Sequence, residues 1–499
     1  MWFSLLVTCI FICFIKLILS WRRPSSFPNG PKGLPIVGNL FDLKNLVDKF
    51  GSHGAAWCQL ANEYGPVVGL RLGFGNPLII ISGYDAVMEM LNRREFDGRP
   101  NGFIFSHRTH GKKRGVLFTD GKTWTDQRRF SIKCLKDLGW GRQTMEELIL
   151  EDAGGLIKNI ETLSKKGVIK NLNNLTNSAV INSLWSLIGG TRYDVAKGDA
   201  KIMKTLQILN DSIRESNVSG GLLNHFPFLR FIAPRLSGYR TITDRYRLMW
   251  SFFSAEVSSH KASKKPGIMR DLIDTYLEEI KEHEEDPTSS FNEMELIALL
   301  KDLFSAGVDT TTNSIGFTLD YLTVNPHVQA KVHEELDRVI GRDNLPSITT
   351  RNSLPYLNAT LAEVLRLSNI GPTTIPHRCT IDNTKFMNFN IKKNYTLLAN
   401  IMSVHLDKEH WGDPEVFRPE RFINEDGVFV VDPWLMPFGA GRRKCLGEAL
   451  AKNGHFLFVS SLLQKFEFQL PPGHSLPSMT GMDGFTLSPP IFDILVLPR

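Results

Sequence analysis

Apolar residues recur at three- and four-residue spacing along much of the chain, which is the periodicity of an amphipathic α-helix. This pattern predicts helices over residues 142–164, 198–218, 241–262, 269–284, 292–324, 326–340 and 355–369. Runs typical of strands are short and cover residues 67–72, 77–81 and 491–497, with others near 384–401. A charge-rich segment over residues 281–293 is expected to form a solvated loop between two helices. The pattern indicates a mainly α protein with small β-sheets.

The N-terminus departs from this pattern, because residues 1–20 are almost wholly apolar and carry a single charge, Lys16. A helix of this length spans about 30 Å, the hydrocarbon core of a bilayer. A cleaved signal peptide is the alternative, but the basic start and the small-residue cleavage site of such a peptide are lacking. We therefore expect one N-terminal transmembrane helix over 1–20, and Arg22 and Arg23 place the remaining chain on the cytoplasmic side.

Four prolines follow the apolar segment, at positions 24, 28, 31 and 35. Proline resists helix formation, so residues 21–38 are predicted to form a stiff hinge that leads away from the membrane. Beyond residue 38 the composition shows no second break and no repeat, which indicates a single domain over residues 39–499.

Composition excludes several classes of protein. Of the 499 residues 42% are apolar and 22% are charged, which excludes a disordered, collagenous or polytopic membrane chain. Six cysteines without a CxxC pair exclude a disulfide scaffold and a zinc ribbon. The net charge of +6 is compatible with an acidic partner or an anionic membrane surface and does not decide between them.

The window with the most chemical information is FGAGRRKCLG, from Phe438 to Gly447. Glycines in it permit tight turns and the close approach of a flat ligand, and three cations immediately precede Cys445. Thiolates of low pKa favour such cations and helix N-termini, and a predicted helix begins directly after this window. A lone cysteine is more often a small buried hydrophobic residue, so the interpretation depends on these surroundings.

The window matches the pattern FxxGxRxCxG and resembles the haem-ligating loop of the cytochrome P-450 family. The resemblance implies the P-450 fold, a heme b cofactor (iron protoporphyrin IX) and Cys445 as the axial thiolate ligand of its iron. It also implies that Arg443 binds a haem propionate and that Phe438 packs beside the sulfur. A cysteine thiolate pushes electron density towards iron and favours cleavage of the O–O bond.

A second motif, AGVDTT, starts at Ala306 on a predicted helix and resembles the family's proton-delivery motif. The resemblance implies that Thr310 hydrogen-bonds dioxygen at the iron and that Asp309 connects Thr310 to solvent protons. Ala306 would lie against the haem. Gly307 costs roughly 1 kcal/mol relative to alanine in a helix interior, and it is either simply tolerated there or opens a groove over the haem.

Three further residues resemble the family's Glu–Arg–Arg network. Glu363 and Arg366 form an ExxR element, and Arg421 belongs to the PERF sequence that follows. Other ExxR copies occur in the chain, but this one lies about 80 residues before the cysteine loop, as in the family. We interpret the three as residues that stabilise the fold, because a buried trio of charges tolerates no missing member.

Haem propionates need cations, and the resemblance supplies four more residues for them. Trp124 and Arg128 lie in WTDQR, which resembles the family's WxxxR helix. Arg99 in FDGRP and His377 in IPHR occupy places where relatives have further propionate partners. A solvated arginine and a plain loop histidine are the alternatives for these last two.

The substrate pocket can be placed only by region. The resemblance implies an apolar lining from three parts of the chain: Phe103, Ile104, Phe105, Val116 and Phe118; then Phe304, Ala306 and Thr310; then Ile370, Ile375, Phe485 and Leu487. Such a lining favours a small apolar substrate. The segments FDGRPNGFIF, GVLFTDGKTW and HFPFLRFIAP resemble insect members near the juvenile-hormone epoxidases and developmental hydroxylases.

The resemblance implies a microsomal haem-thiolate monooxygenase that inserts one oxygen atom of dioxygen by hydroxylation or epoxidation. Electrons would come from NADPH through cytochrome P-450 reductase, with cytochrome b5 as a further partner, at the endoplasmic reticulum membrane. No nucleic-acid partner is expected. Two alternatives stay open: a haem-thiolate isomerase or dehydratase that needs no reductase, and a membrane-tethered haem carrier or sensor.

Overall fold

The computed structural model describes residues 26–137, 143–192 and 221–499, and these form a helical body with three small β-sheets. The helices are α1 (Leu40–Phe50), α2 (His53–Tyr64), α3 (Tyr84–Asn92), α4 (Phe103–His107), α5 (Gly121–Asp137), α6 (Gln143–Ser164), α7 (Asn173–Ile188), α8 (Gly221–His225), α9 (Leu229–Ile232), α10 (Tyr239–Ser263), α11 (Leu272–Glu282), α12 (Glu293–Val324), α13 (Pro326–Val339), α14 (Pro355–Ser368), α15 (Ile401–His405), α16 (Lys408–Trp411) and α17 (Glu448–Lys465). Short 3₁₀ segments include Arg94–Phe96, Ile348–Ser353 and Pro419–Phe422. The prediction of a mainly α protein with small β-sheets is confirmed.

The strands are short and form three separate sheets. They are β1 (Val67–Leu70), β2 (Leu78–Ile81), β3 (Ile169–Lys170), β4 (His377–Arg378), β5 (Thr384–Phe386), β6 (Phe389–Ile391), β7 (Thr396–Ala399), β8 (Phe466–Gln469) and β9 (Asp493–Pro498). The largest sheet has the order β1-β2-β7-β4, in which only the β2–β7 pair is parallel. The second has the order β3-β9-β8, and the third is the β5–β6 pair.

Both faces of the β1–β2–β7 sheet are covered, which explains why β1 and β2 are unbroken apolar runs in the sequence. Ile80 packs in a cluster with Trp57 of α2, whereas Ile79 and Ile81 pack on the other face with Met90 of α3. All residues of β1 and β2 are buried as a result.

Helix α12 passes through the two largest hydrophobic clusters. Its first half packs with α5, α7, α10 and α11, and its second half packs with α6, α13, α14 and α17. The side chain of Asn292 caps its first turn by accepting from the backbone N–H of Glu295, and Pro326 starts the next helix directly beyond it. Most of its 32 residues are buried, and the break in this burial lies around Ala306.

Gly307 brings α7 close to α12. A Cβ atom added to Gly307 would lie 2.7 Å from Leu184 Cδ2, and one added to Gly316 would lie 2.0 Å from Asn173 Oδ1. Both neighbours belong to α7. The missing side chain of Gly307 therefore faces a packed helix, so its role in the structure is close helix packing and not the opening of a groove.

Six of the seven predicted helical stretches coincide with α6, α10, α11, α12, α13 and α14, within three residues at each end. The stretch 198–218 lies outside the described residues. Helix α7 was missed because its apolar residues serve two clusters, Val180 and Leu187 on one side and Ile181 and Trp185 on the other. A helix that is buried on several sides lacks the single apolar stripe that reveals an amphipathic helix.

The chain joins the body earlier than residue 39. Phe27 is buried in the cluster that also contains residues of β2 and β7. The backbone N–H of Gly69 donates to Asn29 O at 2.8 Å, and Gly38 pairs with Leu72. The predicted transmembrane helix over 1–20 lies outside the described residues. Among the helices described, none has the length and apolar character needed to cross a bilayer.

Buried charges attach α14 to the segment around Pro419–Phe422. Arg366 donates from Nε and Nη2 to both carboxylate oxygens of Glu363, at 2.7 and 2.8 Å. Arg421 Nε donates to Glu363 Oε1 at 3.2 Å, and Arg366 also donates to the carbonyls of His405 and Pro414. Glu363 and Arg366 are fully buried. The structure thus brings the predicted trio together and satisfies its hydrogen bonds with neighbouring backbone.

Replacing Arg366 with leucine should lower the free energy of unfolding by about 3–5 kcal/mol, because Glu363 would be left buried without its main partner. The exposed pair Lys331–Glu420, with a 2.8 Å Nζ–Oε1 distance, provides the control. Lys331→Leu should cost about 1 kcal/mol or less. Urea unfolding followed by circular dichroism measures both. Equal losses in the two variants would contradict the stabilising role of the buried trio.

Candidate active site

The cysteine loop turns tightly before α17. Cys445 N donates to Phe438 O at 2.9 Å, and the Phe438 ring contacts the Lys452 ammonium at 5.3 Å from the ring centroid. Gly441 has a φ of +68°, and an added Cβ would lie 1.9 Å from the carbonyl oxygen of Leu91 at the end of α3. A residue with a side chain cannot replace Gly441 without moving the loop away from α3.

Cys445 lies in a recess that solvent can enter. The enclosing protein raises the pKa of its thiol, against the backbone N–H of Gly447 and the positive charges of Arg128 and Lys444, which lower it. The N-terminus of α17 follows within three residues. A bound metal ion would convert the thiol to a thiolate outright, so a metal at the sulfur fits the donor that the loop presents.

The break in the burial of α12 and the cysteine loop border the same hydrophobic cluster. Ala306 is exposed, and Thr310 Oγ1 donates to the Ala306 carbonyl at 2.7 Å. Leu446, the residue after Cys445, packs against the cluster that contains Val308 of α12. The exposed stretch of the helix and the cysteine loop therefore belong to the same part of the molecule.

Asp309 is turned away from solvent. Its side chain is buried, and its Oδ2 atom accepts from Thr486 Oγ1 and from Asn313 Nδ2, the latter at 3.3 Å. Thr486 and Asn313 are thus neighbours of the carboxylate through which the motif is predicted to connect Thr310 to solvent. Neither residue stood out in the sequence, since each is a single uncharged polar residue outside the recognised motif.

A cationic cluster forms where the loop meets α5. The Arg443 guanidinium lies 3.9 Å from the Trp124 ring centroid, and that of Arg128 lies 5.8 Å from the same ring. Arg443 donates to Asp97 O from Nε and Nη2 and to Thr119 O from Nη2, at 2.7 to 3.0 Å. Its Nη1 is buried and has no hydrogen-bond partner among the residues that the structure describes.

Arg99 and His377 belong to the same cluster, since both interact electrostatically with Arg443. Arg99 is buried and donates to the carbonyl oxygens of Leu117 and Pro376 at 2.9 and 3.0 Å. His377 is also buried, and its Nδ1 lies 2.8 Å from Phe96 O. Neither the solvated arginine nor the plain loop histidine that the sequence left open is therefore observed at these positions.

The positive charges of the cationic cluster repel one another when no anion is bound. Burial lowers the pKa of Arg99 and His377 well below their usual ranges, and neighbouring arginines lower both further. Burial also lowers the pKa of Arg443 to about 10, against the attraction of Asp97 and Asp120. A ligand with carboxylate groups would relieve the repulsion and bind the unpaired Arg443 nitrogen. The donor set thus fits the two propionates of a haem.

The segment that precedes α5 is attached to α12 by Asp302, which the sequence reading overlooked. Asp302 forms a buried ion pair with Arg108 and accepts from the backbone N–H groups of Val116 and Leu117 at 2.8 and 2.9 Å. A charged residue in the apolar run LLKDLF was the available signal. Within this segment the Phe105 and Phe118 rings lie 4.9 Å apart, as expected for one shared apolar lining.

Several residues that were predicted to line the pocket lie elsewhere in the structure or are only half-buried. Phe304 is fully buried in the core between Trp185 and Phe253, so its predicted place in the pocket is wrong. It precedes Ala306 by two positions, and a helix turns about 200° over that distance. Phe103 stacks on His107 at 4.7 Å, next to α10. The remaining half-buried positions are Ile104, Ile375 and Phe485, whereas Ile370 and Leu487 pack in a small cluster with Phe317.

The structure combines a helical body, a thiol in a glycine-rich turn and, beside that turn, a cationic cluster suited to carboxylates. This combination defines a class, the haem-thiolate proteins. The family model of cytochrome P-450 matches residues 28–496. Farnesoate epoxidase of Bombyx mori is 35% identical over 496 residues, covering 99% of this chain and 98% of the relative. Probable cytochrome P-450 305a1 of Drosophila melanogaster is 36% identical over 505 residues, covering 98% and 99%.

A mammalian relative shows the same extent of similarity. Cytochrome P-450 2J2 of Homo sapiens is 34% identical over 486 residues, covering 96% of this chain and 93% of the relative. The chain belongs to the cytochrome P-450 family. It is therefore a P-450 monooxygenase, an oxidoreductase whose cofactor is haem iron.

Replacing Arg443 with methionine should speed the loss of haem by about tenfold or more, because one charge-assisted hydrogen bond is removed. Arg442→Met is the matched control. Arg442 is exposed and paired with Asp97, so its removal should change the rate by less than about threefold. Haem transfer to excess apomyoglobin measures both rates. Similar rates in the two variants would show that Arg443 holds no propionate.

Proposed function

We propose that the protein inserts one oxygen atom of dioxygen into a small apolar substrate, by hydroxylation or epoxidation, with electrons from NADPH. The observation that carries this proposal is the acid–alcohol pair on α12: Thr310 lies one turn after the exposed Ala306, and the Asp309 carboxylate next to it is buried. Haem, when bound, supplies the activation of dioxygen. Cys445 would be its thiolate ligand, and Arg99, Trp124, Arg128, His377 and Arg443 would hold its propionates.

The protein's own contribution is to hold and move protons. The Thr310 hydroxyl now donates to Ala306 O, so it can accept a hydrogen bond from a second group at the same time. Asp309, one residue earlier, is held in the interior by Thr486 and Asn313. An isomerase or dehydratase would need neither residue, and a haem carrier would need no proton delivery at all. The presence of both favours the monooxygenase.

The electron donor we propose is NADPH–cytochrome P-450 reductase, with cytochrome b5 as a second partner. Both would approach the cysteine side, where the chain presents Arg129, Lys133, Lys136, Arg442, Lys444 and Lys452. The first three are exposed along α5, and Lys444 and Lys452 flank Glu448 at 2.7 Å. A surface of this charge steers an acidic partner to the side of the molecule that carries the metal ligand.

The substrate we propose is an unsaturated, largely apolar molecule. The lining we propose includes Phe105, Val116 and Phe118: the backbone N–H of Val116 donates to Asp302 of α12, and the Phe118 ring contacts that of Phe105. The relative from Bombyx mori is named a farnesoate epoxidase, so farnesoate and its esters are the first compounds to test. Substrate-induced difference spectra would rank them against steroids, fatty acids and aromatic compounds.

The central prediction is that Thr310→Ala uncouples the reaction. Product formed per NADPH should fall by about tenfold or more and peroxide should rise, since proton delivery contributes about 10²–10⁴-fold in such steps. Thr312→Ala, on the face towards Asn177 of α7, is the control and should stay coupled.

Cys445→Ser should lose the red-shifted Soret band of the reduced carbon-monoxide complex. Turnover without NADPH and reductase would favour the isomerase, and unchanged coupling in Thr310→Ala would favour the carrier.

We also propose that residues 1–20 anchor the protein in the endoplasmic reticulum membrane, that residues 21–38 connect the anchor to the catalytic domain, and that this domain lies on the cytoplasmic side. An exposed apolar patch supports this arrangement. Phe231, Ile232 and Leu236 are 74%, 75% and 92% exposed, and Phe74 contacts Phe228 within the same patch. The backbone N–H of Gly73 donates to Val37 O at 3.2 Å, so the end of the segment 21–38 lies beside this patch.

The patch should be protected when the full chain is embedded in phospholipid nanodiscs. Hydrogen exchange of residues 228–237 should slow relative to the same chain in dilute detergent, because apolar side chains enter the headgroup region. Residues 428–431 serve as the control, since Val428, Val430 and Val431 are also about half exposed but belong to a different surface. Equal changes in the two segments would argue against a specific membrane face.

A further inference from the structure

The chain forms a short hairpin immediately before β9. Met482 and Ser488 exchange backbone hydrogen bonds of 2.8 and 3.0 Å, which closes the hairpin over the five residues between them. The hairpin carries Phe485 and Leu487, which the family resemblance places in the substrate pocket. Leu487 N donates to the Ile370 carbonyl at 2.8 Å, so the hairpin also contacts the segment after α14.

The same hairpin is bound to the proton-delivery part of α12. Thr486 Oγ1 donates to Asp309 Oδ2. Asn313 Nδ2 lies 3.3 Å from that oxygen, 3.3 Å from Leu487 O and 3.5 Å from Ser488 Oγ. Asp309, Asn313, Thr486 and Ser488 are all buried. One turn of α12 thus holds the hairpin through the carboxylate next to Thr310.

A buried carboxylate is costly unless donors satisfy its oxygens. Thr486 and Asn313 both donate a hydrogen bond to Asp309 Oδ2. They therefore favour one orientation of the Asp309 side chain among those that its rotamers allow. A hydroxyl that donates to a charged acceptor forms one of the stronger hydrogen bonds in proteins. Removing the Thr486 hydroxyl would take away one of the donors that hold the carboxylate and leave the longer contact with Asn313 in place.

We propose that Thr486, with Asn313, is a positioning residue for oxygenation: it fixes the orientation of the Asp309 carboxylate from which Asp309 and Thr310 deliver protons. The hairpin is thereby part of the proton-delivery site through the Thr486 hydroxyl. This inference rests on the proposed monooxygenase function and deepens it.

Thr486→Val tests the proposal, because valine keeps the shape of threonine and removes only the hydroxyl. Product per NADPH should fall by about tenfold, the equivalent of one charge-assisted hydrogen bond, with the KM for substrate within about twofold of wild type. Thr486→Ser keeps the donor and should restore coupling. A loss of coupling that serine does not restore, or a change confined to KM, would overturn the positioning role.

Thr480→Val is the matched control on the same stretch of chain. Thr480 is exposed, and its hydroxyl accepts only from Ser478 in the part of the protein that is described. Its replacement should leave coupling and KM unchanged. Equal uncoupling in Thr480→Val and Thr486→Val would assign the effect to the hairpin as a whole and would overturn the specific role of Thr486.

A readout that does not depend on turnover is the infrared carboxylate band of Asp309. Subtracting the spectrum of Asp309→Asn identifies this band, which should shift in Thr486→Val and return to its position in Thr486→Ser. An unshifted band would overturn the inference. Failure of the proposed function is recognised separately, since it would show as coupled turnover in Thr310→Ala or as product without NADPH.

Discussion

Burying a polar side chain requires a hydrogen-bonding partner, and in this protein that requirement attaches the site to the central helix. Helix α12 carries Asp302, Asp309 and Asn313 at buried positions. Asp302 finds its partners in the segment before α5, and Asp309 and Asn313 find theirs in the hairpin at Thr486. The two segments that frame the predicted pocket are therefore held by polar residues of a helix that is otherwise packed in hydrophobic clusters.

In the cationic cluster, by contrast, groups of like charge are held close together. Arg99, Arg128, Arg443 and His377 come from four separate stretches of the chain and are brought together despite their repulsion. Backbone carbonyls satisfy most of their donors, which holds the side chains in fixed positions before any ligand binds. Such preorganisation lowers the cost of binding a dianionic cofactor, because the donors do not have to be gathered at that moment.

Sequence reasoning identified the family from motifs that are local and chemically specific. The cysteine loop, the Asp309–Thr310 pair and the Glu363–Arg366 element each lie within a few residues of chain, and the fold places the last beside Arg421. Reasoning failed where the outcome depends on which way a helix faces. Phe304 points into the core although it lies two positions before the motif, and only the structure decides that Gly307, left open by the sequence, faces α7.

By itself, the sequence determined the mainly α architecture, the family and the haem cofactor, because periodicity and motifs are properties of short stretches. The tertiary structure decided which distant residues meet: Asp302 with Val116, Thr486 with Asp309, and Phe27 with the sheet. The physical reason is that such contacts are selected by the packing of whole elements and by the need of each buried polar group for a partner. A local pattern can mark one member of such a contact, as the charge in LLKDLF does for Asp302, but it does not show which distant residue is the partner.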